Sequence, residues 1–225
     1  MKNKNEKGFA LVLSLVLLMA MSLMGGALIV ISASDHQSNN VSDEFQQTFY
    51  VAETALLEGE KYLINQFLGP YKKNGKGERD TENYGLTRIQ NTDKVTDPPH
   101  KDVEKCYNSF SDIDRLTFKP VSGAPVDEPD SATKSVVYAD VNYRTFITDN
   151  VIDDAKERTR LSKFKFQYFF TQIGEAEFEG KGQSSKKAAT DKGKSGMAYR
   201  VYGCGIFDDG KIIVPLESTL VFPNN

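Results

Sequence analysis

The stretch Phe9–Ala33, FALVLSLVLLMAMSLMGGALIVISA, decides the fold because it holds twenty-five residues without a charge. It follows the leader Met1–Gly8, in which three lysines outweigh one glutamate. As a helix with a rise of about 1.5 Å per residue, the run reaches about 37 Å, which is enough to cross a bilayer core with some tilt. Because lysine-rich flanks stay in the cytoplasm, we expect an inner-membrane helix with a cytoplasmic N-terminus and an external body.

Three interpretations of this segment compete. A cleaved secretory signal would end at the small residues Ser32-Ala33-Ser34, but secretory apolar regions run only about 7–15 residues, and this one is longer. A plain uncleaved anchor is the second interpretation. The third depends on Gly8, which stands directly between the basic leader and Phe9.

The helical period continues beyond the apolar run. Apolar or small residues recur at spacings of three and four, which predicts an amphipathic half over residues 34–68 of the same helix. The breakers Gly69-Pro70 should end it. A half-buried helix of this kind needs a sheet or a bundle to cover its stripe. The predicted stripe consists of Val41, Phe45, Phe49, Ala52, Leu56, Gly59, Leu63 and Phe67.

Strand signals dominate the last part of the chain, residues 135–225. Asp208-Asp209-Gly210 is a good hairpin turn between the last two predicted strands, and Glu175–Gly196 is expected to be a long exposed connection. We therefore predict an α+β fold in which the long helix packs on an antiparallel sheet of about four strands. The predicted strands are Val136–Thr148, Phe164–Ile173, Ala198–Phe207 and Lys211–Phe222.

Residues 69–134 are polar and read as an irregular, variable region. They are rich in Lys, Asn, Asp, Gly and Pro, and a loop region of this length is either functional or poorly ordered. The short apolar patches Leu86–Ile89 and Ile113–Phe118 are expected to form minor strands or a short helix.

Gly8-Phe9 after a basic leader resembles the prepilin peptidase site of type IV pilins. Phe49–Leu56, FYVAETAL, resembles the Ala-Glu-containing stretch of the PilX family of minor pilins, and Tyr199–Gly205, YRVYGCG, with Ile212–Leu220 resembles that family's last hairpin. The resemblance implies a type IV pilin-like fold, cleavage after Gly8 and methylation of Phe9.

Leu13 departs from the pattern of major pilins. It is the fifth residue counted from Phe9, where major pilins carry a glutamate that is thought to neutralise the terminal amine of a neighbouring subunit. A subunit at the tip has no preceding amine to meet, and an unpaired buried carboxylate costs several kcal/mol at least. Leu13 therefore fits a tip or priming subunit, although an ordinary transmembrane helix would also carry a leucine there.

The resemblance implies assembly rather than catalysis. Its partners would be major and other minor pilins, prepilin peptidase, the inner-membrane assembly platform and, at the extracellular pilus tip, an adhesin or another cell. Two alternatives stay open: a single-pass anchored extracytoplasmic binding domain, and a K-type minor pseudopilin of type II secretion. The body lacks room for the large inserted domain typical of that pseudopilin, which favours the pilus.

Cys106 and Cys204 are the only cysteines of the chain. An oxidising extracytoplasmic location favours one structural disulfide between them, with two free thiols as the alternative. Neither His36 nor His100 has metal-ligand spacing to a cysteine. We expect no cofactor. Three acid clusters are weak candidates for calcium binding, although none has the twelve-residue calcium-loop pattern. The clusters are Asp127–Asp130, Asp149–Asp154 and Asp208-Asp209.

Charge and motifs narrow the function classes. The chain has 28 basic and 31 acidic residues, and removing the first 33, which hold three basic and one acidic side chain, leaves 25 against 30. A mildly acidic body without a basic stripe does not support nucleic-acid binding. No nucleophile elbow, zinc motif or phosphate loop is present in the sequence, so we expect no enzyme.

Overall fold

A computed structural model describes residues 6–72, 76–80, 82, 84–147, 154–178 and 195–223. The chain divides into two units, Met1–Phe45 and Gln46–Asn225. The helices are α1 (Glu6–Leu68), α2 (Glu104–Asn108), α3 (Tyr143–Ile147) and α4 (Ala155–Leu161). The strands are β1 (Gln90–Asn91), β2 (Val121–Gly123), β3 (Ser135–Val136), β4 (Tyr138–Asn142), β5 (Phe164–Glu177), β6 (Ser195–Phe207) and β7 (Ile212–Pro223).

Helix α1 confirms the predicted long N-terminal helix. It ends at Leu68, where Gly69 takes a φ of 83° and Pro70 follows, as the two breakers predict. At its other end it already includes Glu6–Gly8 of the predicted leader, because Glu and Lys are good helix formers and the cost of Gly8, about 1 kcal/mol, is too small to stop the helix. Residues 1–5 of the leader lie outside the described residues.

Strands β4 to β7 form the predicted four-stranded antiparallel sheet, in the order β4-β5-β6-β7. The expected turn at Asp208–Gly210 joins β6 and β7, with Asp208 and Asp209 at φ values of 48° and 57°. Strand β5 runs on to Glu177 and β6 starts at Ser195, so the ends of the predicted connection Glu175–Gly196 are strand residues. Residues 179–194 of that connection lie outside the described part of the chain.

The predicted strand Val136–Thr148 is confirmed only over β4, because Val136 belongs to β3 of a separate sheet, Thr148 lies outside the described residues, and the strand ends at Asn142. The backbone turns into helix α3 there, because the Asn142 side chain accepts a hydrogen bond from Arg144 N at 3.0 Å. The Thr145 hydroxyl also donates to the Asn142 carbonyl at 2.7 Å. These local bonds offer the backbone an alternative to the sheet ladder, which the alternation of the sequence does not reveal.

The region 69–134 is more ordered than its composition predicts. Strands β1 and β2 pair antiparallel with each other, and β2 pairs with β3, which makes a second sheet of three strands. Leu86–Arg88 forms a short 3₁₀ helix, while the Ile113–Phe118 patch forms turns rather than the expected strand or helix. The Tyr62 hydroxyl ties this region to α1 by donating to the Ala124 carbonyl at 2.6 Å.

One face of the four-stranded sheet, called here the inner face, packs on residues 46–68 of α1. The backbones come close because Gly203 and Gly205 have no side chain toward the helix. A Cβ on Gly205 would overlap the backbone oxygen of Thr48, and one on Gly203 would lie 3.0 Å from Leu56 Cδ2. Gly59 allows the same close approach from the helix side, since a Cβ added there would lie 2.7 Å from Val201 Cγ1.

The buried stripe of α1 differs in part from the predicted one. Val41 and Phe45 are exposed, and Phe49 is at the edge of exposure, so the predicted stripe was wrong at these three positions. Several helix positions that contact the sheet carry small or polar side chains. A stripe predicted from large apolar residues does not include them. The residues of the stripe that are buried are Thr48, Val51, Ala52, Ala55, Gly59, Tyr62, Leu63 and Gln66.

The opposite face of the sheet, called here the outer face, is covered by the segment 100–120. Phe169, Tyr202 and Cys204 alternate with the inner-face residues along β5 and β6, and they pack against this segment. The segment contributes the buried residues Val103, Cys106, Tyr107, Phe110, Ile113 and Phe118. The sheet is therefore buried on both faces, by a helix on one and by an irregular segment on the other.

Candidate functional site: an apolar helix and a disulfide-held sheet face

The first candidate is the apolar part of α1. From Leu11 to Ala33 every side chain is exposed except the half-buried Ala20, and the large apolar ones are 50–72% exposed. Two of its serine hydroxyls bond within the helix, Ser14 Oγ to Leu11 O at 2.9 Å and Ser22 Oγ to Leu18 O at 2.8 Å. A helix whose polar groups bond internally in this way suits lipid or an apolar assembly interior.

Length and composition make α1 a candidate membrane anchor. An apolar surface of this size is not left in water by soluble proteins, which rarely expose continuous apolar patches above a few hundred Å². The structure therefore supports the predicted transmembrane helix at the level of a candidate, and the direction of crossing stays a prediction.

Gly8, Phe9 and Leu13 lie within the backbone of α1. The side chain of Phe9 is outside the described residues, so its processing and methylation remain predictions. Leu13 is 51% exposed, and the described helix carries no charged side chain from Leu11 to Ala33. The first unit thus presents an uninterrupted apolar surface that includes Leu13.

The second candidate is the outer face with its disulfide. Cys106 of α2 and Cys204 of β6 form the expected bridge, with Cα atoms 5.6 Å apart, and both residues are fully buried. The Gln167 side chain holds the same segment, since its Oε1 accepts from Cys106 N at 3.3 Å and its Nε2 donates to the Asp102 carbonyl at 2.6 Å. The irregular segment is thereby fixed to the middle of the sheet.

Buried tyrosines lie on both faces of the sheet. Burial raises the pKa of Tyr199 to about 12, and its hydroxyl donates to the Ile89 carbonyl at 2.9 Å. Burial, with Asp97 nearby, raises the pKa of Tyr107 to about 12 on the outer face. Removing a phenol from water disfavours the phenolate, so both rings are neutral in the folded protein at ordinary pH.

In each of the three acid clusters, one described carboxylate serves local structure. Asp130 accepts a hydrogen bond from the Tyr84 hydroxyl at 2.5 Å, Asp154 accepts from Lys156 N at 2.9 Å, and Asp209 pairs with Lys105. Among the described residues, no group of three or more His, Cys, Asp or Glu side chains could hold a metal ion. Residues 149–153 of the second cluster lie outside this description.

Sequence reasoning missed the role of the glycines in β6. Gly203 and Gly205 stand opposite the small residues Ala52 and Ala55 of α1, and together they set the close approach of helix and sheet. The sequence does contain a pattern that indicates this close approach. Two glycines in the YGCGIF block are two residues apart, so they lie on the same face of a strand. Cys204 lies between them and points to the other face.

Comparison with protein-family models, with curated proteins and with solved structures found no match for this chain. A function is therefore inferred from the residues and the geometry of the chain.

Proposed function

We propose that this chain is a minor pilin of the PilX type, which waits in the inner membrane and then joins the tip of a type IV pilus. The observation that carries the proposal is the exposed apolar stretch Leu11–Ala33, which belongs to the same helix element as the residues packed on the four-stranded sheet. Such a surface needs a nonpolar environment, and both lipid and a bundle of like helices supply one.

The leader supports processing rather than permanent anchoring. Gly8 directly precedes Phe9 after a leader with net positive charge, in the pattern of a prepilin peptidase site. Cleavage there would expose the amine of Phe9 at the start of the apolar helix. The partners of this step would be prepilin peptidase and the inner-membrane assembly platform.

Leu13 supports a place at the start of a filament. A carboxylate at this position would meet no amine in the first subunit, and an unpaired charge in an apolar core costs several kcal/mol. Leucine avoids that cost. The buried Cys106–Cys204 bridge supports a location outside the cytoplasm, where disulfides form and persist.

Cell fractionation tests the proposal. The wild-type chain is expected in filaments sheared from the cell surface, whereas Gly8→Val, which blocks the site of cleavage, should leave the chain in the inner membrane. Gly26→Ala is the matched control, since a Cβ there meets no atom within 4 Å and should leave localisation unchanged. Wild-type protein that never leaves the membrane would instead support a single-pass anchored binding domain.

Leu13→Glu tests the tip position separately. In a priming subunit the new carboxylate has no amine partner, so we expect fewer filaments per cell by electron microscopy, with unchanged membrane insertion. Leu13→Gln is the control for polarity without charge, and it should have a smaller effect. An unchanged filament count for Leu13→Glu would place the subunit inside the filament, where a preceding amine is available.

A further inference from the structure

A cleft of about 270 Å³ opens on the outer face of the sheet, beside the disulfide-held segment. This volume is just below the roughly 300–1,000 Å³ of small-molecule sites in proteins. Asp112, Asp114 and Lys119 from the segment and Arg200 from β6 line the cleft. Arg200 lies four residues before Cys204 on the same strand, so the disulfide fixes one wall close to the other.

Arg200 interacts with the Tyr202 hydroxyl, but its contacts with the protein leave part of the guanidinium without a close carboxylate. Its Nη1 lies 3.7 Å from Asp112 Oδ2 and 3.7 Å from Glu217 Oε2. Both distances exceed the range of about 2.7–3.2 Å for an N–H···O hydrogen bond. Its Nε is shielded from solvent and finds no hydrogen-bond partner among the described residues. The side chain is 33% exposed, so its outer nitrogens remain accessible from the cleft.

In each of two other clefts, one cation is held more firmly. In a cleft of about 180 Å³, Lys105 donates to the Asp209 backbone oxygen at 2.7 Å and pairs with its carboxylate. In one of about 250 Å³, Arg160 donates to Gln47 Oε1 at 2.6 Å and to Glu157 at 2.9 Å. Arg200 therefore differs from them in having ion-pair partners beyond hydrogen-bond distance.

The charges of the cleft indicate the class of ligand. Asp112 and Asp114 balance Lys119 and Arg200, so the four side chains have no net charge, which does not favour phosphate or a metal cation. A hydroxyl group can accept a hydrogen bond from a guanidinium and donate one to a carboxylate at the same time. Two neighbouring hydroxyls on one ring could therefore bond side by side, one to Arg200 and one to Asp112, whose charged groups lie 3.7 Å apart.

The far wall of the cleft is rigid and polar. The Asn91 amide donates to the Gln172 carbonyl at 2.9 Å, and Gln172 N donates to Asn91 Oδ1 at 2.7 Å. These reciprocal bonds hold strands β1 and β5 together at the cleft, so a ligand would meet a preorganised surface and would not need to order it on binding.

We propose that this cleft binds one sugar unit of a neutral glycan, with Arg200 donating to and Asp112 accepting from its hydroxyl groups. The proposal depends only on the second unit and stands whether or not the chain enters a filament.

The test uses the full-length protein in a detergent without a sugar headgroup, so that the detergent does not occupy the cleft. An array of neutral and acidic glycans identifies the best neutral glycan, and calorimetry then gives its Kd. Losing a hydrogen bond to a charged group should weaken binding by about tenfold or more, so we expect this loss for Arg200→Gln and for Asp112→Asn.

Lys105→Gln is the matched control, because it removes a cation that lies outside this cleft, and it should keep the wild-type Kd. Asp112 is 51% exposed, so its variant also covers the case in which Arg200→Gln disturbs the fold. The proposal is overturned if no neutral glycan binds the wild type, or if both cleft variants bind as tightly as Lys105→Gln.

Discussion

The inner and outer faces of the four-stranded sheet are both buried, but they are covered in different ways. On the inner face a regular helix approaches closely over Gly203 and Gly205, and side-chain hydrogen bonds such as that from Ser218 Oγ to Glu60 Oε1 add to this packing. On the outer face a segment with little regular structure is held by the Cys106–Cys204 bridge and by Gln167. A regular element can be held by shape, whereas an irregular one here depends on a covalent bond and a few buried polar contacts.

Loss of the disulfide should have a large effect, which should act on the outer face. The bridge closes a loop with a sequence separation of 98 residues. In the chain-entropy model such a bridge is worth about 4–5 kcal/mol, and measured values are often lower. We expect Cys106→Ala combined with Cys204→Ala to lower the free energy of unfolding by about 2–5 kcal/mol. Urea denaturation of the full chain in detergent measures this.

Native-state hydrogen exchange locates the damage of the double variant. Amides of residues 100–120 should lose protection first, while those of residues 46–68 in α1 keep theirs. Equal loss of protection in both regions would mean that the helix on the inner face depends on the disulfide as much as the segment on the outer face does.

A matched pair of leucine substitutions tests how much helix packing on the inner face stabilises the fold. Leu63 is fully buried, whereas Leu57 of the same helix is 65% exposed. Leu63→Ala leaves a cavity and should cost about 2–5 kcal/mol of unfolding free energy. Leu57→Ala should stay within about 0.5 kcal/mol of the wild type. Denaturant midpoints of the two variants give the comparison, and similar values would mean that α1 does not bury this stripe.

Alanine substitutions at the two glycines test the close approach of helix and sheet. A Cβ on Gly205 overlaps helix backbone, while one on Gly203 makes a milder contact, 3.0 Å from Leu56 Cδ2 and 3.1 Å from the Leu56 backbone nitrogen. Gly205→Ala should therefore cost about 1–3 kcal/mol, and Gly203→Ala should cost less. Thermal unfolding followed by circular dichroism ranks the two. The reverse order would contradict the described packing.

Alkaline pH should destabilise both faces by a smaller amount. Tyr107 and Tyr199 have a pKa raised to about 12 by burial, against a usual value near 10. A raised folded-state pKa means that the stabilisation is complete below about pH 10 and is lost as the pH rises toward 12, because only the unfolded chain then releases its protons.

Urea midpoints between pH 8 and pH 12 should therefore fall above about pH 10. Tyr199→Phe and Tyr107→Phe should each make this fall less steep, one from the inner face and one from the outer face. A slope unchanged in both variants would show that these two phenols are not responsible for it.

The sequence predicted those parts of the fold in which local signals agree. Gly69-Pro70 marked the end of α1, and the alternation in Phe164–Ile173 marked β5, because breakers and period act within a few residues. Helix α3 was missed because Asn142 redirects a strand-like pattern through its own hydrogen bonds. The second sheet was missed because β1 and β3 are only two residues long and depend on distant contacts.

Only part of the candidate site could be predicted from the sequence. The Cys106–Cys204 pairing could be predicted because the chain has only two cysteines. The cleft at Arg200 could not, since Asp112 and Arg200 come together only through the disulfide and the strand register. Leu13 could be noticed only by counting from Phe9, which depends on where the leader is cut.

The mass of the N-terminal peptide distinguishes a processed pilin from an anchored or secreted chain. Protein isolated from sheared filaments should begin at N-methylated Phe9, because cleavage after Gly8 precedes assembly. An intact Met1, or an N-terminus near Ser34, would contradict it and would leave α1 as an ordinary anchor or a cleaved signal.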